Sequence, residues 1–232
     1  MPQASSLPAR AYPPPTLVLV CKRPALGHGK QRLAASLGTQ QACSIAERLL
    51  DCALEDLEHW PGATVIAPDQ PQHRDWASTL APRSGCLAQT PGNLGERLNA
   101  LDRTLRAAGQ RSLAFIGSDA PALREGDYQQ VRDALDEVDT VLLAARDGGV
   151  VLMASNRPWP DLAALPWSSA GLGQALAEAC RDAGHSLRVC GESFDIDEPA
   201  DLKHALRELA DDPRPARRRL LHTLATSCAE PT

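Results

Sequence analysis

Short apolar runs alternate with helical patterns along nearly the whole chain, and that alternation restricts the fold more than any other feature. Leu17 to Cys21 reads Leu-Val-Leu-Val-Cys, apolar throughout rather than alternating. That is the pattern of a strand buried on both faces, as in a parallel sheet. A loop rich in glycine, proline and basic residues follows over 22–30. Thr39 stands where an N-cap belongs. It opens a helical pattern running to about Trp60, with Ile45, Leu49, Cys52, Leu54 and Leu57 as its apolar stripe. Further strands are expected at 63–67, 86–89, 113–116, 140–144, 150–154 and 187–190. Helices are expected at 75–80, 94–108, 128–138, 170–183 and 199–209. Gly109 stops one helix and Pro199 opens the last. Asp147-Gly148-Gly149 is so short a link that the strands it joins are expected antiparallel. Strands alternating with helices imply βαβ units. The expected fold is therefore a single Rossmann-like α/β domain, a mainly parallel sheet with helices on both faces.

The expected organisation is a flexible, Pro-rich leader over 1–15, the α/β domain over 16–210 and a basic tail over 211–232. The tail carries Arg214, Arg217, Arg218 and Arg219 before Leu220, enough for a short extra helix. With 43% apolar and 23% charged residues, the chain is not a disordered one. A net charge of −5 argues against a nucleic-acid partner bound over the whole surface, while leaving room for a local basic site. The seven cysteines are scattered and form no Cys-x-x-Cys pair, which excludes a zinc ribbon and a thioredoxin-type motif and suits a reducing cytoplasm. Cys21 is read as a buried strand residue rather than a nucleophile, since no activating base is identifiable. The N-terminus lacks the apolar core of a secretory signal, and no apolar run is long enough to span a bilayer. A cytoplasmic location is the expectation.

In open α/β sheets ligands bind beyond the carboxyl ends of the strands, so polar residues just after strands come first. Four such segments stand out. Lys22 to Arg32 carries Lys22, Arg23, Lys30 and Arg32 with Gly27 and Gly29. It fits neither a Walker A loop, where Pro24 holds the first glycine's place, nor the dinucleotide fingerprint, where Arg32 holds the last. Two readings stay open, a phosphate-binding loop and a solvated basic loop. Asp119 ends Ile-Gly-Ser-Asp after an apolar strand, as a divalent-cation ligand or as a helix cap. Asp147-Gly148-Gly149 is most simply a hairpin turn. Asp195 and Asp197 alternate along an extended segment and can face one cation, or Asp197 and Asp201 can form a capping box. Asp201 suits a cap better than a ligand.

Taken in order, these segments resemble the DUF2064 family, a bacterial branch of the GT-A nucleotide-diphospho-sugar transferase superfamily. The opening motif is Lys22-Arg23-Pro24 through Lys30-Gln31-Arg32-Leu33. Gln89 to Arg97, Ile116 to Asp119, Asp147 to Gly149, Trp167-Ser168-Ser169 and Asp195 to Leu202 follow. The resemblance implies a GT-A fold, a site for Mg²⁺ or Mn²⁺ at Asp119, Asp197 and Asp195, and a nucleotide site formed by Lys22, Gly27, Gly29, Lys30, Arg32, Asn93, Leu94 and Gly95. It places Asp147, Gly148, Trp167 and Ser168 on the acceptor side, with Asp147 and Lys30 in catalytic roles. The implied activity is transfer of a sugar from a nucleotide sugar to a small acceptor. The alternatives are a nucleotidyltransferase joining a nucleoside triphosphate to a phosphorylated acceptor, and a nucleotide-binding module without catalysis. Three departures from the family pattern bear on this: Gln31 for Thr, Asn93 for Asp, and Val150-Val151 for an aromatic pair.

Overall fold

The computed structural model describes residues 13–229; residues 1–12 of the expected leader and residues 230–232 of the tail lie outside it. Seven strands form one sheet among the described residues: β1 (Thr16–Cys21), β2 (Thr64–Pro68), β3 (Gly85–Cys86), β4 (Leu113–Gly117), β5 (Thr140–Ala145), β6 (Val150–Ser155) and β7 (Leu187–Ser193). Their spatial order is β3-β2-β1-β4-β6-β5-β7. Only β6 runs against its neighbours, pairing antiparallel with both β4 and β5. The four-residue link from Arg146 to Gly149, which holds Asp147-Gly148-Gly149, is too short for anything but a reversal, as the sequence predicts. The mainly parallel α/β sheet is therefore the expected one.

Helices cover both faces. They are α1 (Gln31–Leu37), α2 (Thr39–His59), α3 (Arg74–Leu80), α4 (Leu94–Ala107), α5 (Glu125–Leu135), α6 (Leu172–Asp182), α7 (Pro199–Glu208) and α8 (Pro215–Ala229). Alternate side chains of β1 serve the two cores. Leu17, Leu19 and Cys21 face α2, α3 and α5, while Val18 faces α4 and α6. No helix among the described residues is long and apolar enough to cross a membrane.

Several local expectations shift. Thr39 does not cap α2. Gly38, at φ 85°, ends α1 and begins α2, and Thr39 is already helical. Only glycine takes that backbone turn without strain. Helix α5 starts three residues before Tyr128, where the Asp127 carboxylate accepts the Arg124 N–H at 2.8 Å. Strand β3 is two residues long, although the chain stays beside β2 as far as Gln89, whose N–H donates to the Pro68 carbonyl at 2.9 Å.

The largest difference is at the C-terminus. Helix α8 is packed into the domain rather than appended to it. Ala216, Leu220 and Leu224 are fully buried in a third core with α1, α2 and α7. Arg217 is buried among them. It pairs with Asp56 at 2.7 Å and Glu55 at 2.9 Å, and donates to the carbonyls of Cys52 and Pro121. Burial alone would lower its pKa, but the charge and hydrogen bond of Asp56 together with Cys52 and Glu55 outweigh burial, and the guanidinium is held charged. Asp56 also accepts the Tyr128 hydroxyl at 2.9 Å. A buried charge that loses its partner costs about 3–5 kcal/mol, whereas an exposed ion pair contributes about 0–1 kcal/mol. Urea denaturation of Arg217→Leu should therefore show a loss of about 3–5 kcal/mol. Arg219→Ala, which removes an exposed pair with Asp51, should lose less than about 1 kcal/mol in the same measurement.

Candidate functional site

The carboxyl ends of β1 and β4 open into a cavity of about 650 Å³, walled by the loop after β1, the start of α4, the β5–β6 hairpin and the 194–198 segment. The β1 loop is shaped by its glycines. Gly27 and Gly29 have φ of 74° and 72°, and the His28 N–H closes a turn onto the Ala25 carbonyl at 3.0 Å. Gln31 donates from Nε2 to the Gly27 carbonyl at 2.7 Å. The residue standing for the family threonine thus braces the loop.

Lys30 is the hub. It caps α1 in a left-handed conformation, φ 48°, which costs a non-glycine residue about 1–2 kcal/mol. Its ammonium reaches three acceptors, the Ile196 carbonyl at 2.6 Å, Asp119 Oδ1 at 3.0 Å and Asp197 Oδ1 at 3.1 Å. Those match the three N–H donors of an ammonium. The Lys30 side chain is 7% exposed, while Asp119 and Asp197 are 46% and 50% exposed. Burial lowers the lysine pKa, but the two carboxylates outweigh burial and raise it. Arg32 stands outside this cluster, 3.0 Å from Glu198 and 3.6 Å from Asp197.

The same geometry tests a divalent-cation site. One oxygen of Asp119 and one of Asp197 already converge on a single positive atom, with half of each side chain open to the cavity. Among the described residues no three His, Cys, Asp or Glu side chains form a ready-made metal centre. Mg²⁺ characteristically takes one or two carboxylates and completes its shell with water and substrate phosphates. The pair fits that pattern.

Asp195 is not in the Lys30 cluster. It lines the cavity towards Asp147, and its pKa is pushed up to about 6 by burial and then by the Asp147 charge. The two aspartates of the Asp-Ile-Asp segment thus serve different neighbourhoods. The capping reading applies to Asp201, which accepts the N–H groups of Asp197 at 2.9 Å and Glu198 at 2.7 Å.

The structure brings Lys22, Gly29, Lys30, Arg32, Leu94, Asp119, Asp147, Trp167, Ser168, Asp195 and Asp197 to the cavity wall. Gly27, Asn93, Gly95 and Gly148 are not on it. Gly27 serves the loop turn. Asn93 caps α4, accepting the Glu96 N–H at 3.0 Å and donating to the Ala163 carbonyl at 3.0 Å. Asp could cap there but could not donate to Ala163. Gly95 and Gly148 permit close approach of the 156–171 segment. A Cβ would lie 2.0 Å from the Leu162 carbonyl oxygen at Gly95 and 2.1 Å from that of Ala170 at Gly148.

Further residues join the site region. Arg97 lines this cavity and an adjoining one of about 430 Å³, where Asp69, Gln70 and His73 meet Lys22 and His28. Gln89 lines the larger cavity and donates to the Ala67 carbonyl at 2.7 Å. Asp69 directly follows β2, so the rule that selected Asp119 applied equally to it. Arg97 lies three residues after Leu94, on the same face of α4. Cys21 is inert, its thiol raised to about 12 by burial and then by the Asp69 charge.

A seven-stranded sheet with one reversed strand and a cationic loop after β1 defines the nucleotide-diphospho-sugar transferase fold class. A proposed nucleotide-diphospho-sugar transferase from Desulfovibrio desulfuricans G20 superposes with a TM-score of 0.80 at 22% identity, over 92% of this chain and 95% of that one. A 4-diphosphocytidyl-2C-methyl-D-erythritol synthase shares the fold more distantly, with a TM-score of 0.55 at 12% identity, over 84% of this chain and 99% of that one. Residues 52–169 match the model of a family described as uncharacterized protein conserved in bacteria, DUF2064. The chain belongs to the DUF2064 family, as its motifs led one to expect. It is also 30% identical over 198 residues to the phosphoenolpyruvate guanylyltransferase of Sphaerobacter thermophilus, covering 81% of this chain and 91% of that protein.

Two outcomes test this geometry. Asp195 holds its proton up to about pH 6 in the folded chain, against an ordinary value of 3.8. Between those values the folded state binds the extra proton, so this residue makes stability fall as pH rises from about 4 to about 6. Urea midpoints measured with chelator should show that the wild type, relative to Asp195→Asn, loses stability across this window. Gly148→Ala forces a side chain into the Ala170 carbonyl at φ 90°. Its melting temperature should fall by several degrees, since clashes of this kind cost about 1–3 kcal/mol.

Proposed function

We propose that this protein is a divalent-cation-dependent transferase that moves a sugar from a nucleotide sugar to a small acceptor. The observation that carries the reading is the convergence of Asp119 and Asp197 on one cation beside a glycine-shaped basic loop. Lys22 and Arg32, with backbone N–H groups of the 27–29 turn, hold the donor diphosphate. Asp119 and Asp197 would hold Mg²⁺ or Mn²⁺. When bound, the cation neutralises charge on the departing diphosphate. Lys30, at the start of α1 beside the two carboxylates, would offer its ammonium to the same phosphates. Asp147 accepts the acceptor hydroxyl's proton as its oxygen bonds the anomeric carbon. The carbon–oxygen bond to the diphosphate breaks, and the nucleoside diphosphate leaves with that electron pair. Asp147 is held for this by the Gly149 N–H, 2.9 Å from its Oδ1.

The departures at Gln31 and Asn93 favour a decayed site only if they leave gaps. Each instead has a partner, Gly27 and Ala163, which supports a working enzyme over a non-catalytic module. A second reading, nucleotidyl transfer with pyrophosphate release, is favoured by the name of the Sphaerobacter relative. Lys22, Arg23, Arg32 and Arg97 on the donor side suit a triphosphate too.

A thermal-shift panel of nucleotide sugars and nucleoside triphosphates, with and without Mn²⁺, separates these. Ligand at about 100 times its Kd adds about 2.7 kcal/mol, a rise of about 5–10 °C for a chain of this size. A Mn²⁺-dependent rise with one nucleotide sugar, lost in Asp119→Ala, is the expected result. A rise with triphosphates alone selects nucleotidyl transfer. No rise with any of them defeats both.

A further inference from the structure

We propose that the acceptor carries no negative charge and is a hydroxyl-bearing molecule with an apolar face. This rests on reading the cavity as a nucleotide-donor transferase site. The argument is the division of charge along its wall. The half beneath the β1 loop carries Lys22, Arg23, Arg32 and Arg97. Beyond the Lys30–Asp119–Asp197 cluster, the half formed by the β5–β6 hairpin and the 167–172 segment carries the Asp147 carboxylate, and Asp195 from the 194–198 segment faces it there. Val150, Trp167 and Leu172 supply its apolar surface, and Ser168 and Ser169 its neutral polar groups. Among the lining residues that the β5–β6 hairpin and the 167–172 segment supply there is no lysine, arginine or histidine, and Lys30, whose charge reaches Asp195 from the border, is taken up by Asp119, Asp197 and the Ile196 carbonyl. Arg146, the nearest in sequence, is engaged elsewhere. It pairs with Glu192 at 3.2 Å, hydrogen-bonds His204 and lies 5.9 Å from the centre of the Phe194 ring.

A phosphate or carboxylate placed against Asp147 and Asp195 meets two carboxyl groups and no basic side chain from the hairpin or the 167–172 segment to pair with, which disfavours it by repulsion. A polyol meets the opposite situation. Ionised carboxylates only accept hydrogen bonds, and hydroxyl groups supply the donors. The apolar residues then cover its carbon skeleton. The Sphaerobacter relative is named for phosphoenolpyruvate, an anion; the hairpin half of this cavity is unsuited to such a partner.

The test uses the full chain with inorganic pyrophosphate saturating the cationic half, so that anions binding there are excluded. Calorimetry and saturation-transfer NMR then compare glucose, myo-inositol and glycerol with glucose 1-phosphate and phosphoenolpyruvate. At least one neutral polyol should bind, and the anions should bind at least tenfold more weakly. In Asp147→Asn/Asp195→Asn, affinity for the anions should rise at least tenfold. The amide oxygen can still accept the Gly149 N–H, and a melting curve checks the fold. Anions binding the wild type as tightly as polyols overturn the proposal. So does the absence of polyol binding, or anion affinity unchanged in the double variant. Failure of pyrophosphate to bind counts against the donor site instead, and the polyol and anion titrations on the chain alone still decide the acceptor's charge.

Discussion

One buried ammonium holds the site together. The Lys30 side chain joins the loop after β1 to Asp119 beyond β4 and to the Ile196–Asp197 segment before α7. Without it, two aspartates on separate loops would repel across a shared opening. With it, the three segments are fixed at hydrogen-bonding distance before any ligand arrives. The arrangement places a positive charge where two carboxylates converge, which is also the arrangement a divalent cation requires. The repulsion between the two carboxylates is thus offset in the resting state by one ammonium, and the parts are kept in register by the charge they share.

The supporting structure lies far away in sequence. Arg217 on the last helix donates to the Pro121 carbonyl, two residues past Asp119, and pairs with Glu55 and Asp56 on α2. The C-terminal helix therefore anchors the turn that presents one half of the carboxylate pair. Capping does the same on the other side, where Asp201 fixes the backbone at Asp197. Both devices restrict main chain rather than side chain. That leaves the carboxylates of Asp119 and Asp197 half exposed on rigid supports.

Local signals were legible in the sequence and long-range partnerships were not. The continuous apolar run of β1 and the short Asp-Gly-Gly link give strand burial and strand reversal directly, because each depends on neighbouring residues. Polar residues after strands pointed to Lys30, Asp119 and Asp197. Their mutual contact spans 166 or more positions for two of the bonds and has no sequence signature. Thr39 misled because the stronger constraint, the left-handed turn at Gly38, sits one residue earlier. Arg217 was read with its neighbours as part of a basic tail, because composition does not distinguish a buried arginine from three partly exposed ones. Asn93 and Gly95 were assigned to the nucleotide from a motif, while their side-chain and steric roles face the 156–171 segment.

That segment has a consequence for how such a pocket can diversify. At Gly95 and at Gly148 it presses main-chain carbonyls into spaces no side chain can enter. The wall is clamped at both ends by backbone, so its position is insensitive to the identity of the residues along it. Changes at Val150, Val151 and the 167–169 stretch alter what the pocket touches without altering where the wall stands. Substitution there can change what the pocket admits while Asp119, Asp197 and the cationic loop are left untouched.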